Sequence, residues 1–483
     1  MQQKKLLLAL ALSMGILVAW NFLSPVQQPN KNNAATPAPS ASSTTTPAAA
    51  TTPQATSATP APAPNVTAAA KRLITIKTPL YEVKFDTLGA EPISWIIKKN
   101  NITNSEIFSV AGRKRDRVPL ELISPEGLNR QPRVVPFQLQ TGDAALDAAL
   151  ATSTYKVEGV QQESGDVDVN LAKGEKKELT FVFEDANRVQ VRKKIAFDAG
   201  YYETDLSLQV KRGDETIPQV KVAIGPSIGD QGVPHHTFYS VAPEGVAYVN
   251  GKLERHPPTG INSKNGDKLV LNGPIDWAGV ADTYFGMVAV PYKPTEGLEY
   301  RTVAYEYKPN NGGSPEKRFL TTALVPVPTD GSRIVIYAGP KDHDLLTAAS
   351  TDIGGVVQRQ QPIDLEGMID YGFLGWLSRP LAVPILRAIT YLNNVSGSYG
   401  VAIILFTIVI YSLFFPLKWR SSKAMKKAQK LAPKMKELQE KMKGMKQTDP
   451  RMKDLQMEQL RLMKEGNPLG GCGSKLLSLS YSV

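Results

Sequence analysis

Between Gly400 and Leu417 the sequence reads GVAIILFTIVIYSLFFPL, eighteen residues without a charge. As a helix rising 1.5 Å per residue it is about 27 Å long, close to the roughly 30 Å hydrocarbon core of a bilayer. A strand of that length would be an outlier. The stretch is therefore read as a transmembrane helix, 400–417, and it constrains everything on either side. Lys418 and Arg420 follow at once, and residues 418–465 carry fifteen Lys/Arg against six Asp/Glu. The whole 483-residue chain has a formal charge of +11, and this segment supplies +9 of it. Basic residues flanking a span stay on the cytoplasmic side. The near-neutral body before the span is then the exported part. A protein basic all over, of the kind that coats nucleic acid, is excluded by that distribution.

A second uncharged run, LLLALALSMGILVAWNFL at 6–23, follows Lys4 and Lys5. It exceeds the usual apolar region of a secretory signal, and no small-x-small site comes directly after it. Residues 1–23 are read as an uncleaved N-terminal transmembrane anchor, with a cleaved signal peptide as the alternative. The two lysines put the N-terminus in the cytoplasm. Residues 24–70 contain 37 Ala, Pro, Ser or Thr, and Lys31 is their one charge. Such a segment cannot bury enough apolar surface to offset its ordering entropy. A disordered Ala/Pro/Ser/Thr linker is expected. The single cysteine, Cys472, excludes an internal disulfide and a multi-cysteine metal site.

From 71 to 365 the hydrophobic period becomes two. Tyr81, Val83 and Phe85 alternate with Glu82, Lys84 and Asp86. KELTFVFED, RVQVRKKIAFD, YYETDLSLQVKR, PQVKVAIGP, YFGMVAVPY, RTVAYEY and SRIVIYAGP repeat the theme, with Gly, Pro, Asn and Asp between them. No long amphipathic helix is evident. The expectation is an all-β sandwich on the exported side of the membrane. His235, His236 and His256 suggest zinc only weakly, because adjacent histidines rarely converge on one metal and no Asp/Glu motif accompanies them. No nucleophile elbow, P-loop or dinucleotide turn occurs. The reading is of a protein that is not an enzyme, with no catalytic residue, metal or cofactor.

Residues 366–395 place Phe373, Leu374, Trp376, Leu377, Leu381, Ile385, Ile389 and Leu392 on one broad stripe. Arg379 and Arg387 interrupt it, and Pro380 and Pro384 are expected to break the helix locally. The mixture suits an amphipathic helix in the membrane interface; the alternative is a helix packed on the β domain. Beyond the span, Ala424, Ala428, Leu431, Met435, Leu438, Met442 and Met445 repeat at spacings of four and three, a coiled-coil seam. Residues 418–465 are read as a basic cytoplasmic helical hairpin, turning near Gly444, with a kink or fresh start expected at Pro433. Met452 and Met463 continue its apolar face.

Three groups of residues are candidates for function. Met435, Met442, Met445, Met452 and Met463 either grip varied apolar segments or fill the hairpin seam. The basic residues either meet phosphate, on a ribosome or on anionic lipid, or form a solvated face. Only Trp419 is available for base stacking, so specific nucleic-acid recognition is not expected. Within the span, Thr407, Tyr411 and Ser412 are polar, and Thr407 and Tyr411 share a face. Their hydroxyls either bond the preceding turn or face a wet cavity.

The order of these blocks, with IDYGFLGWLSRPL, the span ending FFPL, SSKAMKKAQKLAPKMKELQEKM and NPLGGC, resembles the YidC family of membrane protein insertases in its Gram-negative form. The resemblance implies a periplasmic β-supersandwich and an interfacial helix. It implies a cytoplasmic hairpin that receives substrate and a hydrophilic groove built by five core spans. It also implies nascent membrane proteins and lipid as partners, with the ribosome and the secretion translocon as further ones, and the inner membrane as location, with several spans. Many members carry an arginine five residues before the proline of the first core span; here that position is Tyr411, and the groove's positive charge is then absent or supplied elsewhere. In the family NPLGGC leads into further spans. GSKLLSLSYSV follows here, and residues 466–483 are read as the truncated start of the next span, with insertion impaired. A second reading is a membrane-tethered periplasmic sugar-binding or mutarotase-like protein, which requires a histidine and an acid facing one cleft. A third is a ribosome-docking protein built on the basic hairpin.

Overall fold

The fold is given by a computed structural model that describes residues 70–109, 117–162, 164–185, 188–226, 228, 242–308, 314–357, 362–372, 375–443, 454–459 and 461. The expected anchor (1–23), nearly all of the linker, the hairpin turn and residues 466–483 lie outside them.

The first strands are β1 (Leu73–Lys77), β2 (Tyr81–Asp86), β3 (Glu91–Ile97), β4 (Leu120–Glu121), β5 (Leu139–Gln140), β6 (Lys156–Glu158) and β7 (Val167–Asn170). Next come β8 (Lys176–Glu184), β9 (Val189–Asp198), β10 (Glu203–Arg212), β11 (Glu215–Thr216), β12 (Gln219–Ile224), β13 (Glu244–Val249) and β14 (Lys252–His256). The last are β15 (Lys268–Leu271), β16 (Ile275–Ala281), β17 (Phe285–Pro291), β18 (Leu298–Tyr307), β19 (Glu316–Pro328) and β20 (Asp330–Pro340). They form one long sheet, β14-β13-β16-β17-β20-β10-β9-β8-β6 with β11 beside β10, and two five-stranded sheets, β4-β3-β2-β1-β7 and β15-β18-β19-β12-β5. All pairings are antiparallel except β1 with β7.

The two short sheets back different parts of the long one. Near β8–β10, Phe85 of β2 packs on Phe181 and Phe197 at ring distances of 5.6 and 5.8 Å. Farther along, Tyr300 of β18 crosses to the long sheet and donates its hydroxyl to the Val246 carbonyl at 2.8 Å. Gly245 is required there, because a Cβ would stand 2.5 Å from the Tyr300 ring. The alternation seen in the sequence explains the layers: in β9, Val189, Val191, Ile195 and Phe197 are buried, while Gln190, Arg192 and Lys194 are exposed.

Lys193 breaks that rule. It occupies an inward position, is fully buried, and donates to the carbonyls of Gly89 (3.2 Å), Ala90 (2.9 Å) and Phe137 (2.9 Å). Ala90 and Phe137 hold left-handed backbones, with φ of 51° and 64°. Beside them Arg133 binds Glu91 at 2.8 Å and Asp86 at 3.0 Å. Burial pushes the Glu91 carboxyl up and the Lys193 ammonium down from their ordinary ranges, and each partner's charge opposes the shift. This polar node ties the β2–β3 turn and the segment before β5 to the long sheet.

The β region also carries helices that its alternating sequence did not announce. They are α1 (Pro125–Leu128), α2 (Ala144–Thr152), α3 (Pro258–Asn265) and α4 (His343–Val356). In α4, Asp342 caps the backbone N–H of Asp344 and Leu345, and Leu345, Leu346, Ala349 and Ile353 form the buried face. A 3₁₀ turn at Leu365–Met368 then buries Leu365 and Met368 completely. The amphipathic helix expected over 366–395 accordingly begins later, as α5 (Gly375–Ser396). It passes Pro380 and Pro384 without a break. The two prolines are four apart, so the lost hydrogen bonds fall on one face and the rest of the ladder persists. Helix α6 (Tyr399–Lys443) is continuous for 45 residues, about 68 Å, through Pro416 and Pro433. The fresh start expected at Pro433 does not occur, and the border between span and basic segment lies in composition, not in the assigned helix.

Candidate functional site in the membrane helix

Tyr399–Pro416 is the one helix among the described residues long and apolar enough to cross a membrane, with a mean hydropathy of 2.1 and 6% of the stretch buried. Ile403, Ile404, Ile408, Val409, Leu413, Phe414 and Phe415 are all exposed. A soluble protein's core helix would hide such residues; here they are available to lipid or to another apolar chain.

The three polar residues foreseen in the span are only partly brought together. Thr407 donates its hydroxyl to the Ile403 carbonyl at 2.7 Å, back-bonding to the preceding turn. Tyr411 is 62% exposed, one turn farther along the same face. Ser412 is rotated from it by about 100° and leaves the stripe. Lys418 joins instead: its Nζ lies 5.8 Å from the centre of the Tyr411 ring. The i, i+7 spacing of Tyr411 and Lys418 was the available signal, hidden because Lys418 reads as a topology charge outside the span. Lys423 covers Trp419 in the same way at 4.0 Å. The face thus runs Thr407, Tyr411, Lys418 from mid-span to the basic segment. A cation over an aromatic face is held by the ring quadrupole, more strongly where water is scarce.

On the basic extension, Leu438 is buried and Met435 and Met442 are half-buried, all on one face. Residues 454–459 are helical, and Met457 is 71% exposed. Met445, Met452 and Met463 lie outside the described residues. Lys423, Lys426, Lys430, Lys434 and Lys441 are exposed.

A sugar-binding reading requires a cleft in the β domain. One cleft, of about 210 Å³, is lined by Phe197, Glu203, Asp205, Arg333 and Asp352 among others. Burial, with Asp352 and Asp198 adding like charge, pushes Glu203 up to about 7. A wider one, of about 800 Å³, lies around Lys84, Asp166, Asp168 and Lys177. No histidine among the described residues lines either. His256 Nε2 does meet Glu254 at 3.1 Å, and His343 Nδ1 meets Glu366 at 3.3 Å, both away from these clefts. His235 and His236 are outside the described residues, among which no cluster of three or more His, Cys, Asp or Glu is arranged to hold a metal.

A β sandwich followed by an uncovered apolar helix defines an integral membrane protein with a large extramembrane β domain. Residues 73–384 match the profile described as the YidC periplasmic domain, and residues 391–480 match that of the 60Kd inner membrane protein. The chain belongs to the YidC family of inner-membrane proteins with a periplasmic domain. It is 28% identical over 482 residues to the membrane protein insertase YidC of Syntrophus aciditrophicus, covering 97% of this chain and 79% of the relative. It is 29% identical over 482 residues to the protein of the same name from Geobacter metallireducens, covering 99% and 79%. Among solved structures, a putative aldose 1-epimerase from Escherichia coli aligns with 56% of this chain and 99% of its own at 11% identity and a TM-score of 0.27. A galactose mutarotase-like protein from Lactobacillus casei gives the same coverage, 12% identity and a TM-score of 0.29. Scores so low bear on neither the fold nor the function of this chain.

Proposed function

We propose that this chain acts as a membrane protein insertase and chaperone, taking nascent membrane proteins and the lipid bilayer as its partners. The observation that carries the reading is the helix Tyr399–Pro416. Its apolar surface is uncovered, and one polar stripe, Thr407–Tyr411–Lys418, runs along it toward the basic segment. A polar path beside lipid shortens the apolar barrier that a translocating polar segment must cross. No bond of the client is made or broken, so the role is not enzymatic. In the finer reading, the protein is multi-pass with an N-terminal anchor in residues 1–23, its N-terminus in the cytoplasm and its β domain in the periplasm. The excess of Lys/Arg after Pro416 supports that orientation. The hairpin presents Met435 and Met442 to client segments, and its exposed lysines offer contacts to the ribosome or the translocon.

A photo-reactive amino acid at Tyr411 tests the stripe. A stalled membrane-protein nascent chain should cross-link several-fold more from Tyr411 than from Val409, which is equally exposed but about 160° around the helix. Equal yields from the two positions would remove the stripe as the client path.

A further inference from the structure

Helix α5 joins the β domain to the span. Both glycines that bracket it have left-handed backbones, Gly372 at φ 73° and Gly397 at φ 70°. A Cβ at Gly372 would meet nothing within 4 Å, so the space around this point is open. Before Gly372 the chain is fixed in the β domain: Leu365 and Met368 are fully buried, and Arg255 donates to the Gly367 carbonyl at 2.6 Å. After it, α5 packs along α6.

Two ion pairs span this junction. Arg379 of α5 binds Glu366, and Arg387 of α5 binds Asp344 of α4 at 2.8 Å. Glu366 is itself held by α4, accepting from Thr347 at 2.5 Å with His343 Nδ1 at 3.3 Å. The same helix exposes Leu381, Ile385 and Leu386, a surface suited to lipid. Arginines on such a helix ordinarily serve phosphate headgroups. Here both turn to carboxylates of the β domain. The arginine side chains are 51% and 64% exposed, and ion pairs this open break readily.

We propose that Arg379 and Arg387 form a two-point latch that fixes the α5–α6 pair to α4 of the β domain, and that opening the latch lets the pair pivot about Gly372. The latch stands on the junction's own geometry and does not depend on the insertase reading.

The test is a distance measurement by pulsed electron spin resonance on the full chain in detergent micelles. Cys472 is replaced by serine, and spin labels are placed at Gly355→Cys and Leu386→Cys, positions with open surroundings. The parent should give one narrow distance distribution. Arg379→Gln with Arg387→Gln should add a second population displaced by several ångströms. Arg387→Asp should broaden the distribution, and adding Asp344→Arg should narrow it again. Circular dichroism confirms that each variant is folded; Arg387 is exposed and Asp344 half-buried at the start of α4, outside its buried face, so their exchange leaves the core intact. A neutralised chain whose distribution superimposes on the parent's overturns the latch. So does broadening that the charge exchange fails to reverse. In nanodiscs, a distribution that responds to anionic lipid but not to Asp344→Asn would assign the arginines to headgroups and also overturn it.

Discussion

Lys193→Met should be among the most damaging single changes in the β domain. Methionine keeps the stem's volume but removes a donor that three buried carbonyls share, those of Gly89, Ala90 and Phe137. Orphaning three buried acceptors costs about 3 kcal/mol even at the lower bound of about 1 kcal/mol each. Glu91 is left buried with Arg133 as its remaining cation, and halving a buried charge set costs about 3–5 kcal/mol. Relief from desolvating the ammonium offsets part of both, so a net loss of about 3–5 kcal/mol is expected. At roughly 2–4 °C per kcal/mol the unfolding midpoint should fall by roughly 6–20 °C. Thermal circular dichroism of the full chain in detergent measures it. Lys194→Met is the control: Lys194 is exposed, paired with Glu178 at 2.7 Å, and its loss should stay within about 0.5 kcal/mol. Adding Glu91→Gln to Lys193→Met should cost less than the sum of the two single changes, because the unpaired carboxylate is then gone. A midpoint for Lys193→Met no lower than that of Lys194→Met would refute the reasoning.

Two pH dependences follow from buried carboxyls. Glu203 has its folded pKa raised from 4.5 to about 7, so its contribution to stability is complete below 4.5 and is lost as pH rises through 7. Glu203→Gln should therefore flatten the midpoint-versus-pH curve between those values and melt above the parent at pH 8. Glu299 behaves in the opposite sense. Burial opposes its charge, but Lys221 at 2.9 Å, Arg301 at 2.6 Å and Lys268 at 3.2 Å outweigh that and pull it down to about 2. Its contribution is present above 4.5 and lost as pH falls through 2, so Glu299→Gln should melt below the parent at pH 7 and converge with it in acid.

Much of the architecture was legible because it is written in local periods. Alternation marked β2, β8, β9, β10, β12, β17, β18 and β20, and an uncharged eighteen-residue run marked the span. Helix α4 escaped because its Thr, Ser and Gly residues are poor helix formers, and it is held by its Asp342 cap and its buried face. The unbroken run of α6 through Pro433 escaped because one proline removes one hydrogen bond from a ladder that 45 residues otherwise sustain. In the candidate site, Thr407 and Tyr411 were visible as polar residues in an apolar run, and Ser412 was grouped with them although it lies off their face. Lys418 was counted as flanking charge, yet its side chain returns over the Tyr411 ring.

The sequence by itself determined the division of this protein into a β body, a span and a basic extension. Hydrophobic period, run length and charge asymmetry are properties of neighbouring residues, and the bilayer and the sheet read them directly. The tertiary structure alone decided the partners. Lys193 finds carbonyls more than fifty residues away, Arg387 finds Asp344 forty-three residues back, and Arg379 is fastened to Glu366 when it had read only as an interruption in an apolar stripe. Such pairings depend on how layers stack after the chain has folded. Local periodicity fixes which way a side chain points; only packing fixes what it meets.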